Sequence, residues 1–153
     1  MKISGLVEQG NLTMYTIKSI ADQPGVAGKI LNLLAKAQIN LEFITEISYR
    51  DRSAVMSFCI NADLMDATDK LIQETVEVKS VKIDKNEYVT ILGVYGPHFR
   101  EKPGIAAIFC SLLGEAGVNI LGISSSISTI SCLIDVRDFE KAKSLLLTYF
   151  ELP

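Results

Sequence analysis

Two short stretches carry most of the chemistry available to this sequence: Asp22-Gln23-Pro24-Gly25-Val26-Ala27 and Glu101-Lys102-Pro103-Gly104-Ile105-Ala106. Each sets an acid and a Pro-Gly pair at the start of an amphipathic run. The first turn of a helix has N–H groups without intrahelical acceptors and the positive end of the helix dipole, so it can hold a carboxylate. Glycine there allows close approach. Gly25, Val26 and Ala27 are therefore a candidate carboxylate cradle, and Asp22 a candidate counter-charge for an ammonium. The same residues also read as a plain turn and helix start, and spacing alone leaves both readings open.

Other chemistry is poorly supplied. His98 is the only histidine, so a His-rich metal site is excluded and the residue reads as a polar loop position. Cys59, Cys110 and Cys132 stand singly in apolar surroundings, without the paired spacing of metal or redox motifs, and are expected to be buried reduced thiols. The glycine loop, lysine and metal-binding acids of a phosphoryl-transfer enzyme are missing. No catalytic residue, metal or cofactor is expected. A net charge of -3 without a Lys/Arg run gives no footprint for nucleic acid. No apolar stretch approaches the length that spans a bilayer, and no signal core follows Met1, so a cytoplasmic protein is expected.

The elements that position the two stretches are themselves repeated. Shifting the sequence by 79 aligns Pro24 with Pro103, Gly25 with Gly104, Ala27 with Ala106, Leu33 with Leu112, Leu34 with Leu113, Ala37 with Ala116, Asn40 with Asn119 and Ile44 with Ile123, which is 8 identities in 21 positions. Chance would give roughly one or two. Ala27, Ile30, Leu31, Leu34 and Ala37 form one helical stripe, and Ala106, Phe109, Cys110, Leu113 and Ala116 repeat it. Each helix should end in a turn where Asn or Gly takes positive φ.

Strands are expected at 14–20, 41–49, 54–60 and 76–83, with a second helix capped by Asn61 or Asp63. The second copy should place strands at 88–94, 120–126 and 129–136 and a final helix capped by Asp138. The order β-α-β-β-α-β gives an α+β fold: two ferredoxin-like units, each an antiparallel sheet with both helices on one face. The second copy has no residues left for a fourth strand. Residues 2–7, ended by a turn at 8–11, are expected to fill that place beside 129–136 or 88–94. The domains are then 12–84 and a discontinuous 1–9 plus 87–153.

"DQPGVAGKI", "EKPGIAAIF" and "NILGISSSISTISCLID" resemble the tandem ACT domains of aspartokinase regulatory regions, over essentially the whole chain. Met1 opens almost directly on the first strand, so the chain looks like a free-standing regulatory unit. The resemblance implies a non-catalytic module that senses a free amino acid, lysine or threonine by analogy, and controls a client enzyme allosterically. It also implies a homodimer. The site implied is Asp22, Gly25, Val26 and Ala27 with Glu46 on the following strand, and Asn119 and Ile120 of the second domain helping to close such a pocket with the first domain of a partner chain. Glu46 stands where the family has Gln, and an acid in place of an amide changes the preferred ligand. The alternative function is a structural dimerisation module without a small-molecule ligand.

Overall fold

The computed structural model describes residues 1–19, 26–75 and 81–153. Along the chain come β1 (Gly5–Ser19), α1 (Val26–Lys36), β2 (Phe43–Ser48), β3 (Ala54–Asn61), α2 (Met65–Gln73), β4 (Val81–Tyr95), α3 (Ile105–Glu115), β5 (Gly122–Ser125), β6 (Thr129–Asp135) and α4 (Phe139–Leu146). The chain divides into two compact units, one of residues 11–88 and one of residues 1–10 with 89–153.

In the unit of residues 11–88 the strand order is β2-β3-β1-β4. β3 runs antiparallel to both β1 and β2, with Tyr15 opposite Phe58 and Ile17 opposite Met56. Opposed residues share a face, so the odd positions of β1 and even positions of β3 make one apolar surface. That surface carries Tyr15, Ile17, Met56, Phe58 and Ile60, packed under Ile30 and Leu34 of α1 and Ile72 of α2. Both helices therefore cover the same face. Tyr15 and Phe58 stack with ring centroids 5.4 Å apart, which adds to the area they bury.

The other unit has the order β1-β4-β6-β5. Leu92 faces Cys132 and Val94 faces Ile130. These residues, with Ile134, meet Ile105, Phe109 and Leu113 of α3 and Ala142 and Leu146 of α4. The N-terminal segment lies beside β4: the Ser4 N–H donates to the Tyr95 carbonyl, and the Thr90 hydroxyl to the Gln9 carbonyl. Both units are α+β with an antiparallel sheet and two helices on one face, the ferredoxin-like class expected from the repeat.

The expected turn at 8–11 does not interrupt the N-terminal strand. β1 runs unbroken from Gly5 to Ser19, and the chain bends only at Asn11, with φ 58. Asparagine tolerates this left-handed backbone, and here its amide donates to Asn61 and Asp63 side chains. Likewise 84–87 is not a break between two strands. β4 continues from Val81 to Tyr95, with Tyr88 at φ 61. Asp84, Lys85, Asn86 and Glu87 are exposed, so polar residues persist here without the alternation that marks a half-buried strand. Residues 76–80 of the expected strand lie outside the described residues.

Both first helices end alike. Gln38 and Gly117, equivalent under the 79-residue shift, take φ 59 and 70. Ile39 N–H donates to the Leu34 carbonyl and Val118 N–H to the Leu113 carbonyl, the six-residue bond of a Schellman cap. The positive φ thus falls on Gln38, not on Asn40, because the cap geometry fixes the position and not the residue type. Gln38→Gly should stabilise the chain by about 1 kcal/mol by removing this strain, measured as a higher urea midpoint. A lower midpoint would show that the Gln38 side chain contributes more than the strain costs.

The second helices also share a start. The Asn61 side chain accepts from the Asp63 N–H at 2.9 Å, and the Asp135 side chain from the Arg137 N–H at 2.8 Å, each capping a short 3-10 turn. Asn61 is therefore a cap as expected. Asp138 is not one through its side chain, which instead lies 3.3 Å from Lys141 Nζ.

Candidate functional site

The α1 start is the first part of the site. β1 ends at Ser19 and α1 begins at Val26. Asp22 and Gly25 lie outside the described residues; Val26 and Ala27 are the first two helical positions. α1 has no acid in its first turn and Lys36 in its last, a distribution that leaves the positive dipole end uncompensated by the helix's own carboxylates.

Glu46 is placed by register. It is opposite Met56, and Met56 is opposite Ile17. This row belongs to the face covered by α1 and α2, since Ile17 and Met56 both pack in the core beneath them. Ile17 stands two residues before the end of β1. Glu46 therefore lies on the helix-covered side of the sheet, at the end of the unit where β1 leads toward α1, and its side chain is exposed. β2 pairs only with β3 among the described residues. Ile44, Ile47 and Tyr49 on this strand and just beyond it are 46, 58 and 54% exposed.

Asn119 and Ile120 belong to the other unit. They precede β5 instead of opening it, because the strand pairing starts with Gly122 opposite Leu133. Asn119 is exposed, and Ile120 is half-buried against the core under α3. Gly104, the equivalent of Gly25, takes φ 91 directly before α3, and open space surrounds the position of a side chain there. Only glycine adopts this backbone without strain. His98 is exposed, 3.4 Å from Glu101 across a surface turn.

A polar cluster the sequence did not announce lies at the far edge of the first unit from β2. The Tyr15 hydroxyl donates to Asp69 at 2.6 Å, and Lys85 Nζ is 2.9 Å from the same carboxylate. Burial, then the Asp69 carboxylate, pushes the Tyr15 phenol far above its ordinary range. A cavity of about 250 Å³ opens there between α2 and β4. In the other unit a cavity of about 360 Å³ lies between α4 and the N-terminal part of β1, lined by Glu8, Thr90, Phe139 and Glu140 among others. Tyr15 reads in sequence as one more apolar strand residue; only the fold brings Asp69 and Lys85, respectively 54 and 70 positions later, to it.

No group of three or more His, Cys, Asp or Glu side chains that could hold a metal occurs among the described residues, and no helix among them is long and apolar enough to cross a membrane. Cys59 and Cys132 are buried, and burial pushes both thiols up to about 12. Cys110 departs from expectation and is exposed. α3 is apolar almost all round, so its sequence leaves the phase of the buried stripe ambiguous; Phe109 and Leu113 are buried as expected, but the helix seats Ile105 beside them and turns Ala106 and Cys110 outward. Titration of the native protein with a thiol reagent should show one fast cysteine of three, lost in Cys110→Ser. Three fast thiols would contradict this burial.

The ACT domain family is matched over residues 15–77, and a second model of the same description over 92–150. The aspartate kinase of Pseudomonas fluorescens is 28% identical over 151 residues, covering 98% of this chain and 37% of that protein. The chain thus spans a little over a third of the length of the curated relatives it matches. In a crystal structure of aspartokinase alpha and beta subunits, a chain 27% identical superposes with a TM-score of 0.84, covering 95% of this chain and 97% of that one. The ligand-free regulatory subunit of aspartate kinase from Thermus thermophilus has the same fold, with a TM-score of 0.85, 21% identity and coverage of 97 and 99%.

Proposed function

We infer, from a chain that consists of two ACT domains in tandem and resembles the regulatory regions of aspartokinases, that it is a non-catalytic module which senses a free amino acid and controls a partner enzyme allosterically. The domains are drawn as 12–84 and 1–9 plus 87–153. The observation that carries the reading is the placement of Glu46 on the helix-covered side of β2, at the end of the sheet where β1 leads into α1. The α-carboxylate would rest on the N–H groups of Gly25, Val26 and Ala27, and the α-ammonium on Asp22. Glu46 would hold a second cation on the ligand, so lysine comes before threonine. Asn119 and Ile120 of a partner chain would help close the pocket.

A homodimer fits the same reading. The outer strand β2 has unpaired backbone groups on its free side among the described residues, and exposed Ile44 and Ile47 that a second copy can cover. A regulator works by binding its ligand more tightly in one arrangement of chains than another, and by passing that difference to a client. Titration calorimetry of the full chain against all twenty amino acids tests the reading. Saturable heat with one or two of them is expected. No heat with any, from a chain that sediments as a dimer, would favour the alternative of a purely structural dimerisation module.

A further inference from the structure

Two ion pairs occupy equivalent places in the two units with opposite polarity. In the unit of residues 1–10 and 89–153, the edge strand is the N-terminal part of β1, and its Glu8 Oε1 lies 2.6 Å from Lys143 Nζ on α4. In the unit of residues 11–88, the edge strand is the N-terminal part of β4, and its Lys85 Nζ lies 2.9 Å from Asp69 Oδ2 on α2. Glu8 stands three residues before Asn11 and Lys85 three before Tyr88, the two left-handed residues at which these strands bend. The positions correspond. One edge strand presents an acid to a lysine on the second helix, and the other presents a lysine to an acid.

Until it closes, each unit has an open sheet edge, and backbone pairing alone accepts any strand of suitable length. Two homologous units therefore offer each edge strand two homes, in its own chain or in another copy. We propose that the reversed polarity acts as a key, assigning β1 to the unit of α4 and β4 to the unit of α2. Exchanged seating would set Glu8 against Asp69 and Lys85 against Lys143, turning two attractions into two repulsions. Asp66 on α2 adds to this, since it also attracts Lys85 and would repel Glu8, whereas Glu140 beside Lys143 on α4 offsets part of the preference there. Each pair is partly exposed and contributes little to the stability of the closed fold. What matters is the difference between right and exchanged seating.

The test is refolding of the full chain from urea at low salt, read as the fraction recovered as the native species by size exclusion. Glu8→Lys with Lys143→Glu keeps an ion pair at this place but erases the key, since both edge strands then carry lysine and both helices an acid. Glu8→Gln with Lys143→Gln removes the pair and leaves only the Lys85–Asp69 attraction to tell the two seatings apart. The key predicts the highest yield for wild type, an intermediate one for the neutral variant and the lowest for the inverted one. Exchanged or oligomeric species should rise about five- to tenfold in the inverted variant, and in about 1 M salt the three should converge. A pair that merely braces the strand predicts the inverted variant equal to wild type and the neutral one lowest. That order would overturn the proposal, as would equal yields for all three.

Discussion

Gly93→Ala should lower the stability of this chain by about 2 to 4 kcal/mol, whereas Gly28→Ala should raise it by about 0.5 to 1. The substitution is the same in both, so the contrast isolates what surrounds the added carbon. Gly93 lies in β4 opposite Ser131. A Cβ there would come within 2.5 Å of the Ile130 carbonyl oxygen and 2.8 Å of Ser131 Cα. Both are backbone atoms of β6, and β4 is held on its other side by β1. The clash can be relieved only by moving a strand, which strains the ladder on both sides.

At Gly28, in the first turn of α1, nothing lies within 4 Å of the added carbon. Alanine there only restricts the unfolded chain and improves helix propensity. Urea unfolding reads both effects. With a slope of about 2 kcal/mol per molar, the midpoint should fall by about 1 to 2 M for Gly93→Ala and rise by about 0.3 to 0.5 M for Gly28→Ala. A small shift of the same sign in both would mean that the strand approach at Gly93 is soft, and that propensity governs both positions.

The sequence made much of this architecture legible because its apolar periods are long and occur twice. Ile30 and Leu34 recur as Phe109 and Leu113, and both pairs are buried under the expected sheets. What was not legible is where a strand stops. The stretches EQGN and DKNE carry turn-forming and charged residues, yet β1 and β4 run through them, because at a solvated edge a strand needs backbone partners more than apolar alternation. The bends at Asn11 and Tyr88 absorb the change of direction in one residue each.

The positions of the candidate residues were legible to different degrees. Glu46 depends only on register, which a buried face specifies strictly, since a slip of one residue would turn Met56 and Phe58 outward. The phase of α3 depends on a helix with apolar residues on most of its surface, and periodicity alone does not tell that Cys110 faces outward. The Tyr15, Asp69 and Lys85 cluster joins residues from three elements, and no local pattern records such a meeting.

Under the proposed amino-acid-sensing function, Glu46→Gln should weaken lysine binding about tenfold and leave threonine binding within about twofold, reversing or erasing the preference between them. The physical basis is the difference between a carboxylate and an amide facing a side-chain ammonium. A charged hydrogen bond contributes about 1.5 to 3 kcal/mol, of which exposure and solvent screening leave about the lower half. Threonine brings no second cation and should not register the change. Asp22→Ala, by contrast, removes the partner of the α-ammonium that every amino acid carries. It should weaken lysine and threonine alike, by about ten- to a hundredfold. The thermal midpoint without ligand should hardly move for Glu46→Gln, because the Glu46 side chain is exposed on an outer strand. Calorimetric titration of both variants with both amino acids gives four ratios to the wild type. Equal losses for lysine and threonine in Glu46→Gln would remove Glu46 from the ligand's side chain. Unchanged binding in Asp22→Ala would move the site to the other Pro-Gly turn, where Gly104 already adopts the left-handed backbone before α3.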